Sequence, residues 1–418
     1  MTTRPRFTFH LPLPAFALAM LGMLTMLATA PALAQTYTIL HAFTGGADGW
    51  DPLGGVTISS SGTLYGTTWN GGNGSCPYEQ CGTVYELSYR NSGWTFKSLY
   101  SFTEDDSVGY YPEAPVIIGP NGALYGTTTD GGNAGKGTVF ELQPPAASCK
   151  TAVCYWTASL VHGFQGGAYD GDTPWYGSLI FDQAGNIYGT TGAGGSTNDG
   201  VVYELTPSGG GWTVGLLHSF VDNGVDGYDP RVGVIFDPAG NLYGTTVQGG
   251  SGAYGTIFQL TPSAGTWTES ILHDFNLTNG SDPENLIMDQ SGNLYGIATG
   301  YGTPIPANVF ELTPADGSWI FYNLQIVPNC GDPESGIVMD AAGNFYGTCA
   351  GGGAHGYGWI FELTNSGGSW VVTDLHDFTF SDGYDPGGAL ALDASGNLYG
   401  TARAGGNGNN GVVWEITR

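Results

Sequence analysis

One repeated segment makes up the sequence, and this repeat constrains the fold more than any other feature. The motif Gly-Asn-Leu-Tyr-Gly-Thr-Thr recurs seven times with small changes, at intervals of 51 to 63 residues. The tyrosines of the seven copies are Tyr65, Tyr125, Tyr188, Tyr243, Tyr295, Tyr346 and Tyr399. The two longest intervals contain cysteine-bounded inserts. The underlying unit therefore has about fifty residues, in the range of a propeller blade.

Each unit has the pattern of four short strands. In the fourth copy these are residues 233–237 (GVIFD), 241–246 (NLYGTT), 255–261 (GTIFQLT) and 267–275 (WTESILHDF), separated by turns rich in Gly, Pro and Asp. Such spacing is typical of an antiparallel meander. No window after the first 34 residues has a sustained helical period of apolar residues, so we predict essentially no helix there.

The two ends of the chain predict how the repeats close into a ring. The last unit stops at residues 411–417 (GVVWEIT), which match a third strand and leave the fourth strand missing. Residues 37–43 (YTILHAF) near the other end match that fourth strand. Radial stacking of four-stranded sheets buries both of their apolar faces. We therefore predict an all-β, seven-bladed β-propeller of four-stranded antiparallel blades, closed by an N-terminal strand that joins the last blade.

At these motifs the chain resembles the GloVer (Gloeo/Verruco) tandem-repeat family of secreted bacterial proteins. The residues that carry the resemblance are Gly-Asn-[Leu/Ile/Phe]-Tyr-Gly-Thr-Thr, Gly-Thr-Val-Phe-Glu-Leu-Thr-Pro and Leu-His-x-Phe, and they recur through the chain. The shorter string Asp-x-x-Gly-Asn-Leu-Tyr is also similar to NHL-type propeller blades. The resemblance implies an exported repeat protein and assigns no activity to any residue.

The N-terminus has the pattern of an export signal. Arg4 and Arg6 precede an apolar stretch that ends in Ala32-Leu33-Ala34, a small-residue cleavage site. We predict a signal peptide over residues 1–34 and one propeller domain over 35–418, of which 35–43 form the closing strand. The expected location is extracellular or periplasmic. Six cysteines fit an oxidising compartment, and their spacing favours the disulfides Cys76–Cys81, Cys149–Cys154 and Cys330–Cys349.

The charge of the chain restricts its partners. Nine Lys and Arg stand against 36 Asp and Glu, giving a formal net charge of −27. Nucleic acid would be repelled, because its binding needs basic contacts to phosphates. An anionic membrane surface is disfavoured for the same reason, and we expect no membrane insertion after signal cleavage. A carbohydrate or a cell-envelope protein remains open as a partner, and we expect a monomer.

Repeated polar residues are interpreted as structural. The Asp that precedes Gly-Asn in five copies fits a tight turn, in which its carboxylate accepts backbone N–H groups. The His of the fourth strand and the Glu of the third strand recur in most units, whereas an enzyme needs one site. We interpret both as buried tethers within the blades. His355, in a Gly-rich loop, lies outside the repeat pattern.

The loops that join a fourth strand to the next blade form the candidate binding surface, called here the acidic-aromatic rim. Carboxylates with backbone carbonyls suit Ca²⁺, and aromatic faces beside polar groups suit neutral sugars. Ordinary turn chemistry, with Pro ending each loop, is the competing interpretation. The candidate residues are Trp50, Asp51, Tyr228, Asp229, Asp282, Asp332, Tyr384 and Asp385.

Three functions remain open from the sequence. The first is a secreted, non-enzymatic binding or scaffold protein that engages a glycan or an envelope partner through the rim. The second is a propeller lyase or hydrolase with a metal near the central channel, which requires one blade to carry residues that the others lack. The third is a purely structural surface or matrix component. We assign no catalytic residue and no cofactor, with Ca²⁺ as the ion that the rim composition would allow.

Calcium binding is tested by melting the protein in Ca²⁺ and in a chelator. A ligand that binds only the folded state raises the melting temperature by mass action. A calcium-binding rim therefore predicts a higher melting temperature in Ca²⁺, and identical melting curves would remove calcium from consideration.

Overall fold

A computed structural model shows the chain as a closed ring of β-sheets. It describes residues 35–76, 80–104, 107–146, 155–276, 278–300 and 306–418. The predicted signal peptide lies outside these residues. The described residues contain strands, turns and bends without a helix, as the sequence predicts. Within the same ranges, no helix has the length and apolar composition to cross a membrane.

Seven four-stranded antiparallel sheets form the blades, numbered here along the chain. Blade 1 comprises Val56–Ile58, Leu64–Thr68, Thr83–Arg90 and Gly93–Ser101. Blade 2 comprises Ile117–Ile118, Leu124–Thr128, Thr138–Gln143 and Thr157–Gly163. Blade 3 comprises Ile180–Phe181, Ile187–Thr191, Val201–Ser208 and Gly211–Ser219. Blade 4 comprises Ile235–Phe236, Leu242–Thr246, Thr256–Ser263 and Thr266–Asp274. Blade 5 comprises Ile287–Met288, Leu294–Thr299, Ala307–Ala315 and Ser318–Val327. Blade 6 comprises Ile337–Met339, Phe345–Cys349, Trp359–Ser366 and Ser369–Asp377.

Blade 7 takes strands from both ends of the chain. Its first three strands are Tyr384–Leu392, Leu398–Ala404 and Val412–Thr417, and its fourth is Thr36–Ala42. Thr36 pairs with Thr417 and Ala42 with Val412 in antiparallel register. The predicted closure and the seven-bladed fold are therefore confirmed.

The hydrophobic core lies between neighbouring blades. One typical cluster joins Tyr188 and Val202 of blade 3 to Val234, Leu242 and Phe258 of blade 4. Alternate residues of each strand point to opposite faces of its sheet. Each blade therefore contributes one apolar face to each of two such clusters, and a single blade has no core of its own.

The repeated Asp and Glu stabilise the turn and the hairpin of the blades that contain them. Asp237 Oδ1 accepts backbone N–H groups from Ala239 and Asn241 at 2.8 and 2.9 Å, closing the predicted turn. In blade 3 the hydroxyl of Tyr188 lies 2.8 Å from Glu204 and 3.2 Å from the turn residue Asp182. The glutamate is thus bonded to tyrosine and not to the repeated histidine.

Each blade is joined to the previous one at a residue that precedes a proline. Asp229 donates its N–H to Asp199 O of blade 3 at 3.0 Å, and its own carbonyl accepts the N–H of Val247 in blade 4 at 3.2 Å. All seven residues at this position have a left-handed backbone, with φ between 46° and 62°. They are Asp51, Tyr111, Thr173, Asp229, Asp282, Asp332 and Asp385. This conformation is unfavourable for residues other than glycine, and Asp tolerates it better than most.

A glycine from the previous blade receives the proline ring of this X-Pro junction. A Cβ added to Gly200, whose φ is +101°, would lie 2.5 Å from Pro230 Cδ and 2.6 Å from Thr191 O. The corresponding glycines of five other junctions would come within 2.4 to 2.9 Å of the proline that follows. Only a residue without a side chain fits between the two blades there.

Two predicted disulfides are confirmed. Cys76 bonds to Cys81 and Cys330 to Cys349, with Cα–Cα distances of 5.4 and 5.0 Å. The predicted pair Cys149–Cys154 lies outside the described residues.

We predict that Gly200→Ala destabilises the ring far more than Gly185→Ala. Both glycines have positive φ, but Gly185 has open space where a Cβ would be added. Gly185→Ala should therefore cost only the left-handed strain of about 1–2 kcal/mol. Gly200→Ala adds a steric clash at the junction, for a total of about 2–5 kcal/mol. Urea unfolding followed by circular dichroism measures both. Equal losses for the two variants would show that the proline contact does not limit the packing of the blades.

Candidate functional site

A cavity lies on the axis of the ring, at the end where the X-Pro junctions converge. Its volume is about 240 Å³, and all seven blades contribute to its wall. We call this cavity the channel mouth. Around it, the rim loops pair with the loop between the second and third strands of the same blade, as at Tyr228 with Gln248. The two sets of loops therefore share one face.

The residue that follows each junction proline differs from blade to blade. The preceding residue and the proline are held in nearly the same place in every blade, so the next side chain is free to vary without changing the fold. In chain order these residues are Leu53, Glu113, Trp175, Arg231, Glu284, Glu334 and Gly387. Three carboxyl groups and one guanidinium thus break the sevenfold symmetry. The sequence contains this signal as the residue after a repeated X-Pro, a position that is not among the predicted rim residues.

The three glutamates of the channel mouth have raised pKa values. Burial raises the pKa of Glu113 to about 7, with further contributions from the Asp51 and Asp130 carboxylates. Burial likewise raises the pKa of Glu334 to about 7, helped by Asp332 and Asp385. The pKa of Glu284 is raised well above its ordinary value, chiefly by burial.

Among the described residues, the side chains of Glu113 and Glu284 have no hydrogen-bond or ion-pair partner. Both line the cavity and are half-buried. A carboxyl group removed from bulk water without a partner costs free energy. These two groups are therefore available to bond a molecule that enters the mouth.

Two arginines also lie at the channel mouth. Arg403, on the second strand of blade 7, donates from Nε to Asp51 Oδ1 at 3.1 Å and lies 3.9 Å from Glu334. It thus connects blades 7, 1 and 6. Arg231 pairs with Asp229 at 2.9 Å and stacks over Trp175, with its guanidinium carbon 5.0 Å from the ring centroid.

Tyr176 supplies an exposed aromatic ring to the same cavity. It lines the cavity wall and is 40% exposed. Burial, followed by the nearby Glu113 and Glu334 carboxylates, raises its pKa to about 12, so its hydroxyl stays protonated at neutral pH. Ser178 and Asn285 add neutral polar groups to the wall. The mouth therefore combines hydrogen-bond donors, acceptors and an aromatic surface.

The predicted rim aspartates are the left-handed residues of the X-Pro junctions. Asp51 is buried beside Arg403, Asp385 lies 3.7 Å from the same guanidinium, and Asp332 lines the cavity. Burial, opposed by the neighbouring arginines, leaves the pKa of Asp51, Asp332 and Asp385 above the ordinary value. Asp282, at the next junction, also has a raised pKa, chiefly through burial.

The predicted rim aromatics stand further from the cavity. Trp50 forms an antiparallel bridge with Asn70 and is half-buried. Tyr384 is 37% exposed and packs edge-on against Tyr357. Tyr228 lies in the short ladder with Gln248. None of the three lines the cavity, whose exposed aromatic residue is Tyr176.

The described residues thus define a seven-bladed β-propeller with a small polar cavity on its axis. The model of the Gloeobacter/Verrucomicrobia repeat family matches residues 29–234, 154–325 and 307–418. The chain therefore belongs to this repeat family, as the motifs indicate. No curated protein matches the chain.

Two solved structures are similar to the chain at low sequence identity. A protein proposed to be a 6-phosphogluconolactonase, from Bacteroides uniformis, is 16% identical, with a TM-score of 0.50 over 81% of this chain and 86% of its own. At this identity the similarity extends to the fold alone. A protein of unknown function from Dyadobacter fermentans is 12% identical, with a TM-score of 0.45 over 92% of this chain and all of its own.

We predict that Glu113→Gln stabilises the protein at alkaline pH. The native pKa of about 7 lies above the unfolded value near 4.5, so the native state binds the extra proton between these pH values. The stability of the parent therefore falls as the pH rises through this window and levels off above it. Glutamine cannot ionise. We expect the variant to gain about 1–3 kcal/mol over the parent at about pH 8, and this gain to vanish at about pH 4.

Denaturant unfolding at the two pH values measures this difference. Glu104→Gln, at an exposed position, is the control and should show no such pH dependence. A Glu113→Gln gain of the same size at both pH values would contradict a raised native pKa.

Proposed function

We propose that this protein is an extracellular binding protein that takes a neutral, hydroxyl-rich ligand, such as the terminal ring of a glycan, in its channel mouth. The observation that carries the proposal is the break in symmetry after the junction prolines. Five of the seven equivalent positions line one cavity, and two of their carboxyl groups, Glu113 and Glu284, have no partner among the described residues. A purely structural ring needs no such residues at its axis.

The charges at the mouth favour a neutral ligand. An anion would meet several carboxylates, whereas the two arginines are already paired with Asp51 and Asp229. A sugar hydroxyl both donates and accepts hydrogen bonds, and so suits a wall that contains protonated carboxyls, carboxylates and the amide of Asn285. The face of an aromatic ring such as Tyr176 offers an apolar surface beside these groups.

The size of the mouth limits the occupant. At about 240 Å³, it lies just below the ~300–1,000 Å³ typical of pockets for drug-sized ligands. One sugar ring fits this volume better than an extended oligosaccharide does. The rest of a glycan, or a cell-envelope component that carries it, would then lie over the acidic-aromatic rim.

We predict that purified protein binds a defined subset of neutral glycans on an array, and that Tyr176→Ala and Glu284→Gln each weaken binding about tenfold. Loss of the aromatic face and loss of a carboxyl hydrogen bond each cost about 1–2 kcal/mol, which is roughly a tenfold effect. Isothermal titration calorimetry with the best array ligand measures the affinities.

Tyr169→Ala is the matched control. Tyr169 is 90% exposed and does not line the cavity, so its loss should leave the affinity unchanged. A blank array, or Tyr176→Ala and Tyr169→Ala proteins that bind alike, would exclude the channel mouth as the glycan site.

A second candidate function is a propeller hydrolase or lyase, favoured by the pKa of about 7 at both Glu113 and Glu334. A carboxyl group that titrates near neutral pH can donate or accept a proton during catalysis. Incubation of the bound glycan with the protein tests this activity. New reducing ends or unsaturated sugars that disappear in Glu334→Gln would support an enzyme, and an unchanged glycan would support binding alone.

A further inference from the structure

The boundary between blades 3 and 4 carries a side-chain cluster that is absent from the described residues of the other blade boundaries. It consists of His218 on the fourth strand of blade 3, Asp226 in the following loop and Glu269 on the fourth strand of blade 4. The three residues bring one potential ligand atom each to within 4.8 Å of one another. No other group of three His, Cys, Asp or Glu meets this spacing in the parts of the chain that the structure describes.

Part of this cluster is a repeated structural device. In four blades the histidine of the fourth strand contacts an aspartate of the next loop, at 3.1 Å for His41–Asp48 and for His162–Asp170. The aspartate also accepts loop N–H groups, as Asp226 does from Val221 at 3.1 Å. A His–Asp pair alone therefore only fastens the loop.

Glu269 is the residue that distinguishes this boundary. At the equivalent position the next blade usually presents an apolar or aromatic side chain to the histidine. Phe96 stacks on His41 at 3.9 Å between ring centroids, Phe321 on His273 at 4.0 Å, and Tyr37 on His376 at 3.8 Å. Val214 occupies this register opposite Leu205 in blade 3, as Glu269 does opposite Leu260 in blade 4.

A carboxylate at this position is costly without a cation. Glu269 Oε1 and Asp226 Oδ1 are buried and have no hydrogen-bond partner. Asp226 is only 7% exposed. Two buried carboxylates beside one imidazole have the charge that a divalent cation would neutralise.

We propose that His218, Asp226 and Glu269 bind a divalent transition metal, with Zn²⁺ as the first candidate. His218 Nε2 lies 3.2 Å from Asp226 Oδ2 and 3.4 Å from Glu269 Oε1. In a tetrahedral zinc site with bonds of about 2.0–2.2 Å, neighbouring ligand atoms are about 3.3–3.6 Å apart. The distances from His218 Nε2 to the two carboxylate oxygens are therefore already close to this spacing, and the two carboxylate oxygens lie within 4.8 Å of each other. The imidazole nitrogen favours zinc over calcium, which prefers oxygen ligands throughout.

The site joins two blades away from the channel mouth. None of its three residues lines the cavity. Three protein ligands leave a fourth coordination position on the zinc ion, which a water molecule or an external ligand would occupy. The metal would fasten the outer strands of blades 3 and 4, so the proposal stands independently of glycan binding.

The test is zinc titration of the purified protein after chelator treatment, by isothermal titration calorimetry. We expect one equivalent of Zn²⁺ to bind, and Glu269→Val and Asp226→Asn each to weaken binding at least tenfold. Valine occupies the equivalent position in blade 3, so Glu269→Val is expected to fold. Asp48→Asn is the matched control: it alters the same His–Asp pair where the neighbouring side chain is Phe96, and should leave zinc affinity unchanged.

Thermal melting supplies the second measurement. Zn²⁺ should raise the melting temperature of the parent and of Asp48→Asn but not that of Glu269→Val, which should melt in chelator at or above the temperature of the parent. A parent protein that binds no zinc would overturn the proposal. So would parent-like zinc affinity in Glu269→Val, or an equal loss of affinity in Asp48→Asn, because binding would then not depend on Glu269.

Discussion

The contact between each junction proline and the preceding blade is the constraint on which the rest of the structure depends. The residue before the proline bonds both blades through its backbone, as Asp229 does with Asp199 and Val247. Its left-handed backbone directs the proline ring onto a glycine such as Gly200, where no side chain fits. Because a single blade has no core of its own, the angle set at this contact decides whether apolar faces meet and whether the ring closes after seven units.

At the same contact, residues that hold the blades together are followed directly by a residue that is free to vary. The contact fixes the backbone on both sides of the proline, so the next residue changes from Leu53 to Glu113 or Arg231 while the fold stays the same. Seven such positions surround the axis, and the cavity there takes its chemistry from their differences. In this fold, the residues that repeat in every blade form the ring, and the residues that differ between blades form the candidate site.

The sequence predicts the ring because its information is periodic. The number of copies of the motif predicts the number of blades, and the match of residues 37–43 to the missing fourth strand predicts the closure of the ring. The site is less accessible, because the residues that meet at the axis are about fifty positions apart. Arg403 contacts Asp51 and Glu334, residues of two other blades, and nothing in the local sequence links them. The rim aspartates stand out in the sequence by their charge, yet their left-handed backbone places them in the junctions. Glu269 does not stand out, because a single Glu within one strand has no meaning until the neighbouring His218 is known.

Arg403 links the closure of the ring to the occupancy of the cavity. It belongs to the blade that is completed by the two ends of the chain, and it holds residues of the blades on either side. Blade 7 contributes Gly388 and Ala389 to the cavity wall, and this blade is complete only when the first strand has paired with the last. A molecule held in that cavity would favour the paired ends over the parted ends, so occupancy would slow the opening of the seam, and loosening of the seam would release the occupant.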